Sequence, residues 1–264
     1  MLTLNAESIR DYQVCSFYFN EKYVLEAKDP SYAREQLADK FENTLRRIVS
    51  FFFYKRQGGI IPSYNALLNR WEKLWFPKNF TAYDLSTERH ESAHGNLASY
   101  SNAAAAALLK FYEDFIDYKA DPVIIDEKFL MPIGKDLRLE GTFDLVLKRA
   151  NGFQVIKWST KTKRPPIDSL TYDFAALKTA FDYRNQSQKN PEYLLYDLGS
   201  TNPGGIAMTP SGEDVKALLY WANEAKSAHE SDSHIPRRGY TVYCRNCPFD
   251  RKCRDFSFSQ SVTA

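Results

Sequence analysis

Four cysteines stand in this 264-residue chain, and where they stand constrains the fold more than any other feature. Cys15 lies close to the start. Cys244, Cys247 and Cys253 lie together at the far end in YCRNCPFDRKC, a C-x2-C-x5-C run. A C-x2-C pair sets two thiolates on one tight turn, a third a little further on can reach the same ion or cluster, and a tetrahedral site takes one ligand more. Cys15 is the cysteine left to supply it. The competing readings are two disulfides, or a reactive Cys15 beside a zinc knuckle completed by another residue. A split of one and three, with none spare, favours a single shared site. Such a site ties the two chain ends together, and its binding free energy must offset the closure of a very long loop. The spacing leaves zinc and iron–sulfur both open.

Composition narrows the setting. Hydrophobic residues make up 44% and charged residues 26% of the chain, which is ordinary for a globular protein and excludes a wholly disordered or collagen-like one. A net charge of +2 excludes a strongly basic nucleic-acid coat and leaves room for a local basic patch. The longest apolar runs, Ile48 to Tyr54 and Ala103 to Leu109, fall short of the ~18–20 residues of a membrane span. MLTLNAESIRDYQ has neither the basic nor the apolar region of a secretory signal. The expectation is a cytoplasmic protein, in a virion or host cytoplasm if phage-encoded, with no membrane partner. In that reducing setting cysteines serve metal or reactive chemistry.

The hydrophobic period changes along the chain. Ser8 to Leu25 reads as a short helix around Cys15. Glu35 to Arg56 is a longer helix with Phe41, Leu45, Ile48 and Phe52 at helical spacing. Pro62 opens another, with Leu67, Trp71 and Trp75 on one face, and His94 to Lys119 is a third with a small-residue centre. Val123 to Phe129, Leu137 to Leu147 and Phe153 to Trp158 read as strands, with Asn151-Gly152 as a type I′ hairpin turn. Leu170 to Asn185 returns to helix, Tyr193 to Leu198 and Ile206 to Thr209 are strands, and Ser211 to Ala228 is a helix. The expected fold is α/β in one domain over 1–264. It has a helical part at 1–120, a mixed central sheet flanked by helices at 121–232, and a cysteine tail at 233–264 that closes on the N-terminus.

At these residues the chain resembles a family. SIRDYQVCSFYFNEKYVL is similar to the opening segment of iron–sulfur RecB-type nucleases, among them CRISPR-associated RecB-like exonucleases, the AddB C-terminal domain and phage exonucleases. Cys247-Pro248 matches the C-x2-C-P that closes the same family. LEGTFDLVL resembles its G-x-x-D strand, with Asp144 as the metal-binding aspartate. FQVIKWSTKTKRPP resembles the following strand, which reads acid-x-Lys and then Thr or Ser. The resemblance implies a PD-(D/E)XK restriction-endonuclease-like core and a [4Fe–4S] cluster on Cys15, Cys244, Cys247 and Cys253, in preference to zinc. It implies Mg²⁺ or Mn²⁺ at the nuclease site only where that site is active.

Against that family pattern most catalytic positions are replaced. Alternate strand residues share a face, so an acid and a lysine two apart would both meet the cleft. Here Lys157 takes the acid position and Ser159 the lysine position. Ser99 takes the place of a helix histidine, and His94 lies on the wrong side of Gly95. The downstream Gln-x3-Tyr signature is not recognisable. Asp144 alone remains, and an ion pair between Asp144 and Lys157 is the structural expectation for it. Lys161 could substitute as a lysine, and Glu127 or Glu140 could lend a carboxylate. Lys161, Lys163 and Arg164 beyond the strand, with Arg245 and Arg251 in the tail, are the residues expected to meet DNA phosphates. The reading is a nuclease fold without cutting activity, serving as a DNA-binding or assembly module with protein partners. Its rivals are an active metal-dependent exonuclease with relocated groups, and a structural subunit of a virion or complex that never touches DNA.

Overall fold

The computed structural model describes residues 1–26, 37–75, 97–160, 170–185, 191–199, 204–234, 244 and 247–254. Alternating apolar residues build its centre. Strand β1 covers Leu2–Leu4, β2 Asp121–Gly134, β3 Leu137–Arg149, β4 Gly152–Ser159, β5 Glu192–Asp197 and β6 Gly204–Met208. The segment β2–β3–β4 is an antiparallel meander. Its first turn runs through Asp136, which adopts φ 61°, a value Asp tolerates better than most residues. β4 then pairs parallel with β5, and β5 antiparallel with β6, which makes the sheet mixed.

β1 pairs parallel with β3 at 137–139, while β4 pairs with β3 at 145–149. β2 runs along β3 opposite both of these stretches, so β1 and β4 share the other edge of β3. Between them, residues 140–144 of β3 face a slot rather than a strand. A cavity of about 110 Å³ opens there, lined among others by Asn5, Thr142, Lys157 and Asp173.

Helices cover both faces of the sheet. α1 (Ala6–Val14), α6 (Thr171–Arg184) and α7 (Gly212–Glu230) pack one layer, in which Ile9, Phe174, Phe181 and Leu218 meet Leu139, Phe143, Val146 and Val155. α3 (Leu37–Gln57), α4 (Tyr64–Trp75) and α5 (Leu97–Phe115) pack the other, in which Phe41, Ile48, Trp75 and Phe111 meet Leu145, Leu147, Ile156 and Trp158. That second layer is aromatic. Phe53 stacks on Trp158 at 6.2 Å, and Phe111, Phe115 and Tyr196 meet the same indole edge-on. Each such pair adds about 0.5–1.5 kcal/mol beyond the area it buries. Among the described residues no helix is long and apolar enough to cross a membrane.

Several elements depart from the sequence reading. β1 is three residues long, too short for alternation to announce it. The helix expected over 8–25 is broken: α1 stops at Val14, Cys15 is extended (φ −160°, ψ 112°), and α2 (Ser16–Phe19) runs on into a π-helical turn, Asn20–Val24. The hairpin turn falls one residue earlier than Asn151-Gly152, because Arg149 pairs with Gly152 and leaves Ala150-Asn151 between them. Neither of those two has positive φ, so the turn is not type I′, and Gly152 takes the glycine-favoured value of 143°. β2 runs to Gly134, past Phe129, because its long partner β3 gives it something to pair with. The loop expected at Phe80–His90, His94, Pro165-Pro166 and the tail from Ile235 to Tyr243 lie outside the described residues.

The glycine of LEGTFD has a packing cause. Gly141 pairs across with Phe129, and a Cβ there would lie on that ring, 2.8 Å from Cε1. The ring is buried against Phe143 at 5.0 Å, so displacing it disturbs that packing. Gly141→Ala is therefore expected to cost about 1–3 kcal/mol, read as a lowered urea midpoint. Adding Phe129→Leu should return part of that loss.

Candidate functional site

Asp144 stands where the alternation of its strand breaks. Leu139 and Phe143 face the α1/α6 layer and Leu145 and Leu147 the α3 layer, so the facing shifts between 143 and 145. The break in β3 has a counterpart in β2, where Ile125 pairs with Leu145 and Glu127 with Phe143, but Asp126 adopts φ 49° and drops out of the ladder. At this break Asp144 faces α3. Its Oδ1 accepts from Arg46 Nη1 at 2.6 Å, and its Oδ2 accepts from the Trp158 backbone N–H at 2.8 Å. Arg46 Nη2 donates to the Trp158 carbonyl at 3.0 Å. The carboxylate is 2% exposed and the guanidinium side chain 36%.

The expected Asp144–Lys157 ion pair is thus replaced by Asp144–Arg46. Lys157 shares a face with Val155 and points into the other layer, where its Nζ lies 3.3 Å from Asp173 on α6. Asp173 also meets Arg10 of α1 at 3.5 Å. Strand alternation keeps Lys157 on the face of Val155, and the break opposite Asp126 leaves Asp144 on the same side as Leu145.

The other positions scatter. Ser159 is buried at the end of β4, and its Oγ has no hydrogen-bond partner among the described residues. It pairs in register with Asp197 of β5, a fully buried carboxylate. Thr160 is buried beside Glu42, hydroxyl to Oε2 at 3.4 Å. Ser99 lies exposed in the first turn of α5. Glu127 is bound to Arg184 at 2.6 Å, and Glu140 lines the slot cavity, so neither carboxylate joins Asp144. Lys161, Lys163, Arg164 and Arg245 lie outside the described residues. Mg²⁺ and Mn²⁺ need several oxygen ligands, and both Asp144 oxygens are already used, so the described residues do not fit such an ion. Sequence reasoning missed Arg46, Glu42, Asp173 and Asp197. Glu42 and Arg46, four apart, carry only the signal of a surface helix pair.

The cysteines form a second locality. Cys15 both ends α1, its N–H donating to the Asp11 carbonyl, and starts α2, its carbonyl accepting from Phe19. Cys247 N–H donates to the Cys244 carbonyl and Cys253 N–H to that of Phe249, which winds 250–254 into a helical turn. That turn rests on α2 and the π-helical turn. Phe249 meets Tyr18 at 5.6 Å between ring centres, and Lys252 pairs with the buried Glu21 at 2.6 Å. Burial pushes the Cys247 thiol above its ordinary pKa, and nearby Cys15, Cys244 and Cys253 push the same way. Cys15, Cys244 and Cys253 thus all lie near Cys247, and none of the four is in a disulfide. They are not drawn into a coordination shell: among the described residues, no three His, Cys, Asp or Glu side chains are arranged to hold a metal ion.

Residues 3–254 match the family described as the PD-(D/E)XK nuclease superfamily. The chain belongs to the PD-(D/E)XK nuclease superfamily. Among solved structures it is similar to a "Putative exonuclease" from Eubacterium rectale, at 10% identity and TM-score 0.48, over 92% of this chain and 87% of that one. It is also similar to the protein SSO0001, at 11% identity and TM-score 0.34, over 83% of this chain and 96% of that one. No curated protein matches it.

Within this PD-(D/E)XK chain, the two partners at Asp144 are unequal. Removing Arg46 leaves a carboxylate that is 2% exposed without its counter-charge, whereas removing the charge of Asp144 leaves an arginine that water already reaches. Arg46→Met is expected to cost about 3–5 kcal/mol, and Asp144→Asn clearly less, because the amide oxygen still accepts from Trp158. Equilibrium urea unfolding of both variants measures the order.

Proposed function

We propose that this chain is an iron–sulfur, RecB-like member of its superfamily whose cutting site has decayed, retained as a DNA-binding or assembly module. The observation that carries this reading is the use of Asp144. The one carboxylate kept from the family's catalytic set is bound by Arg46 and the Trp158 N–H, while Lys157 faces the opposite layer and Ser159 replaces the lysine. A site that activates water on a divalent ion needs converging oxygen ligands with open positions. None converges on Asp144 among the described residues.

The cysteine locality supports the cluster. Four thiols from opposite chain ends are the donor set of an all-cysteine iron–sulfur centre, and the resemblance favours iron over zinc. Cys15, Cys244, Cys247 and Cys253 would hold it, and when bound it supplies a covalent clasp between the ends. The chain's own residues prepare that closure: Phe249 and Lys252 seat the tail on Tyr18 and Glu21. Arg251 is exposed on the same turn as Cys253, and with the basic run at Lys161, Lys163 and Arg164 it offers charge to a phosphate backbone.

Two measurements test this. Linear single- and double-stranded DNA incubated with the protein and Mn²⁺ should stay intact while binding it in a salt-dependent manner. Degradation that Asp144→Ala abolishes sinks the decayed-site reading, and absent or salt-independent binding favours a purely structural subunit. Anaerobically purified protein should be brown with bound iron, and Cys15→Ser should lose the iron and loosen both ends. A colourless protein with one zinc rejects the cluster, and a fully loaded Cys15→Ser protein rejects the shared site.

A further inference from the structure

We infer that Arg46 is a resident cation, its guanidinium holding the place between the Asp144 carboxylate and the Trp158 carbonyl that a divalent ion would otherwise need; this rests on the reading of a decayed site. Two oxygens from two different strands face a single positive group there. One is carboxylate Oδ1, 2.6 Å from Nη1, and the other is a peptide oxygen, 3.0 Å from Nη2. Both are hard oxygen donors of the kind Mg²⁺ and Mn²⁺ take. They lie just beyond Leu145–Ile156, the last pair of the β3–β4 ladder, so strand pairing does not use them.

A guanidinium suits this place because its planar fork reaches two acceptors at fixed geometry and is less strongly hydrated than an ammonium group. The demand for a cation is physical. A carboxylate 2% exposed needs a counter-charge, and the Trp158 N–H satisfies only its second oxygen. Glu42 stands one helical turn before Arg46 and reaches Thr160, two residues past the Trp158 carbonyl. Vacating Arg46 thus leaves Asp144 Oδ1 and a carbonyl aimed at one point, with a second carboxylate one turn away.

Such a place differs from an ordinary ion pair, because an ordinary pair once broken is not rescued by a metal. The probe is MnCl2 at millimolar concentration, read by thermal unfolding and by loss of the free Mn²⁺ paramagnetic resonance signal. Wild-type protein is expected to show no uptake that depends on Asp144. Arg46→Met should melt lower in chelator and recover about 3 °C with Mn²⁺. Arg46→Met/Asp144→Asn should recover nothing. If Arg46→Met does not fold unaided, its refolding from urea with and without Mn²⁺ reads the same quantity, and recovery only with the ion supports the inference. Equal behaviour of the single and double variants, failure to refold in both conditions, or Asp144-dependent uptake by the wild type overturns it. DNA degradation by the wild type bears on the decayed-site reading instead, whatever Arg46→Met does with Mn²⁺.

Discussion

Where β3 and β4 part, a carboxylate has been taken out of water, and the surroundings of Asp144 are arranged around supplying its counter-charge. The counter-charge comes from α3, so the helix that covers one face of the sheet is also fixed to the end of two strands. Arg46 reaches both, through Asp144 on β3 and the Trp158 carbonyl on β4. The same residue that carries this carbonyl carries the indole at the hub of the aromatic layer, with Phe53, Phe111, Phe115 and Tyr196 around it. Polar bridge and apolar hub share one residue. Loosening either one would free the other, because the bridge sets where the strand ends and the hub sets how α3 and α5 lie on it.

On the other face the charges take a separate course. Lys157 and Arg10 converge on Asp173, joining β4, α1 and α6 beside the slot between β1 and β4. These groups are about one-fifth to one-third exposed, so water shares in their solvation and their pairing contributes little to stability. The two faces therefore differ in kind. On the α3 side the carboxylate of the pair is buried, and on the α6 side both partners are partly exposed.

How much of this was legible in sequence follows from the range of each interaction. The long helices and the meander announced themselves because period 3.6 and period 2 are local properties, visible at Phe41–Leu45–Ile48–Phe52 and along Leu137–Leu147. Asp144 stood out through the glycine three residues before it, and that glycine is set by the Phe129 ring. Its partner was illegible. Arg46 lies 98 positions away, and nothing in LRRIV tells which arginine turns inward. The facing of Asp144 was illegible as well, since alternation predicts it correctly only if the strand is regular, and the Asp126 kink that accompanies the break lies in a different strand. Cys15 was read in the middle of a helix, where helical propensity has no reason to stop. The extended backbone there belongs to the junction with the tail.

That junction bears on how the chain ends can meet at all. A clasp made by metal alone would have to carry the whole entropy of closing a loop the length of the protein. Here the closure is divided. Most of the loop is already closed by the sheet, because β1 pairs with β3 and holds the N-terminus against the core. The remaining short reach is taken by side chains: Phe249 on Tyr18, Lys252 on a Glu21 that is 8% exposed, and buried His234 beside Phe19. An apolar contact and a half-buried ion pair can seat a tail without any ion. The thiols then start close to Cys247, and what the proposed metal centre would have to add is geometry rather than encounter.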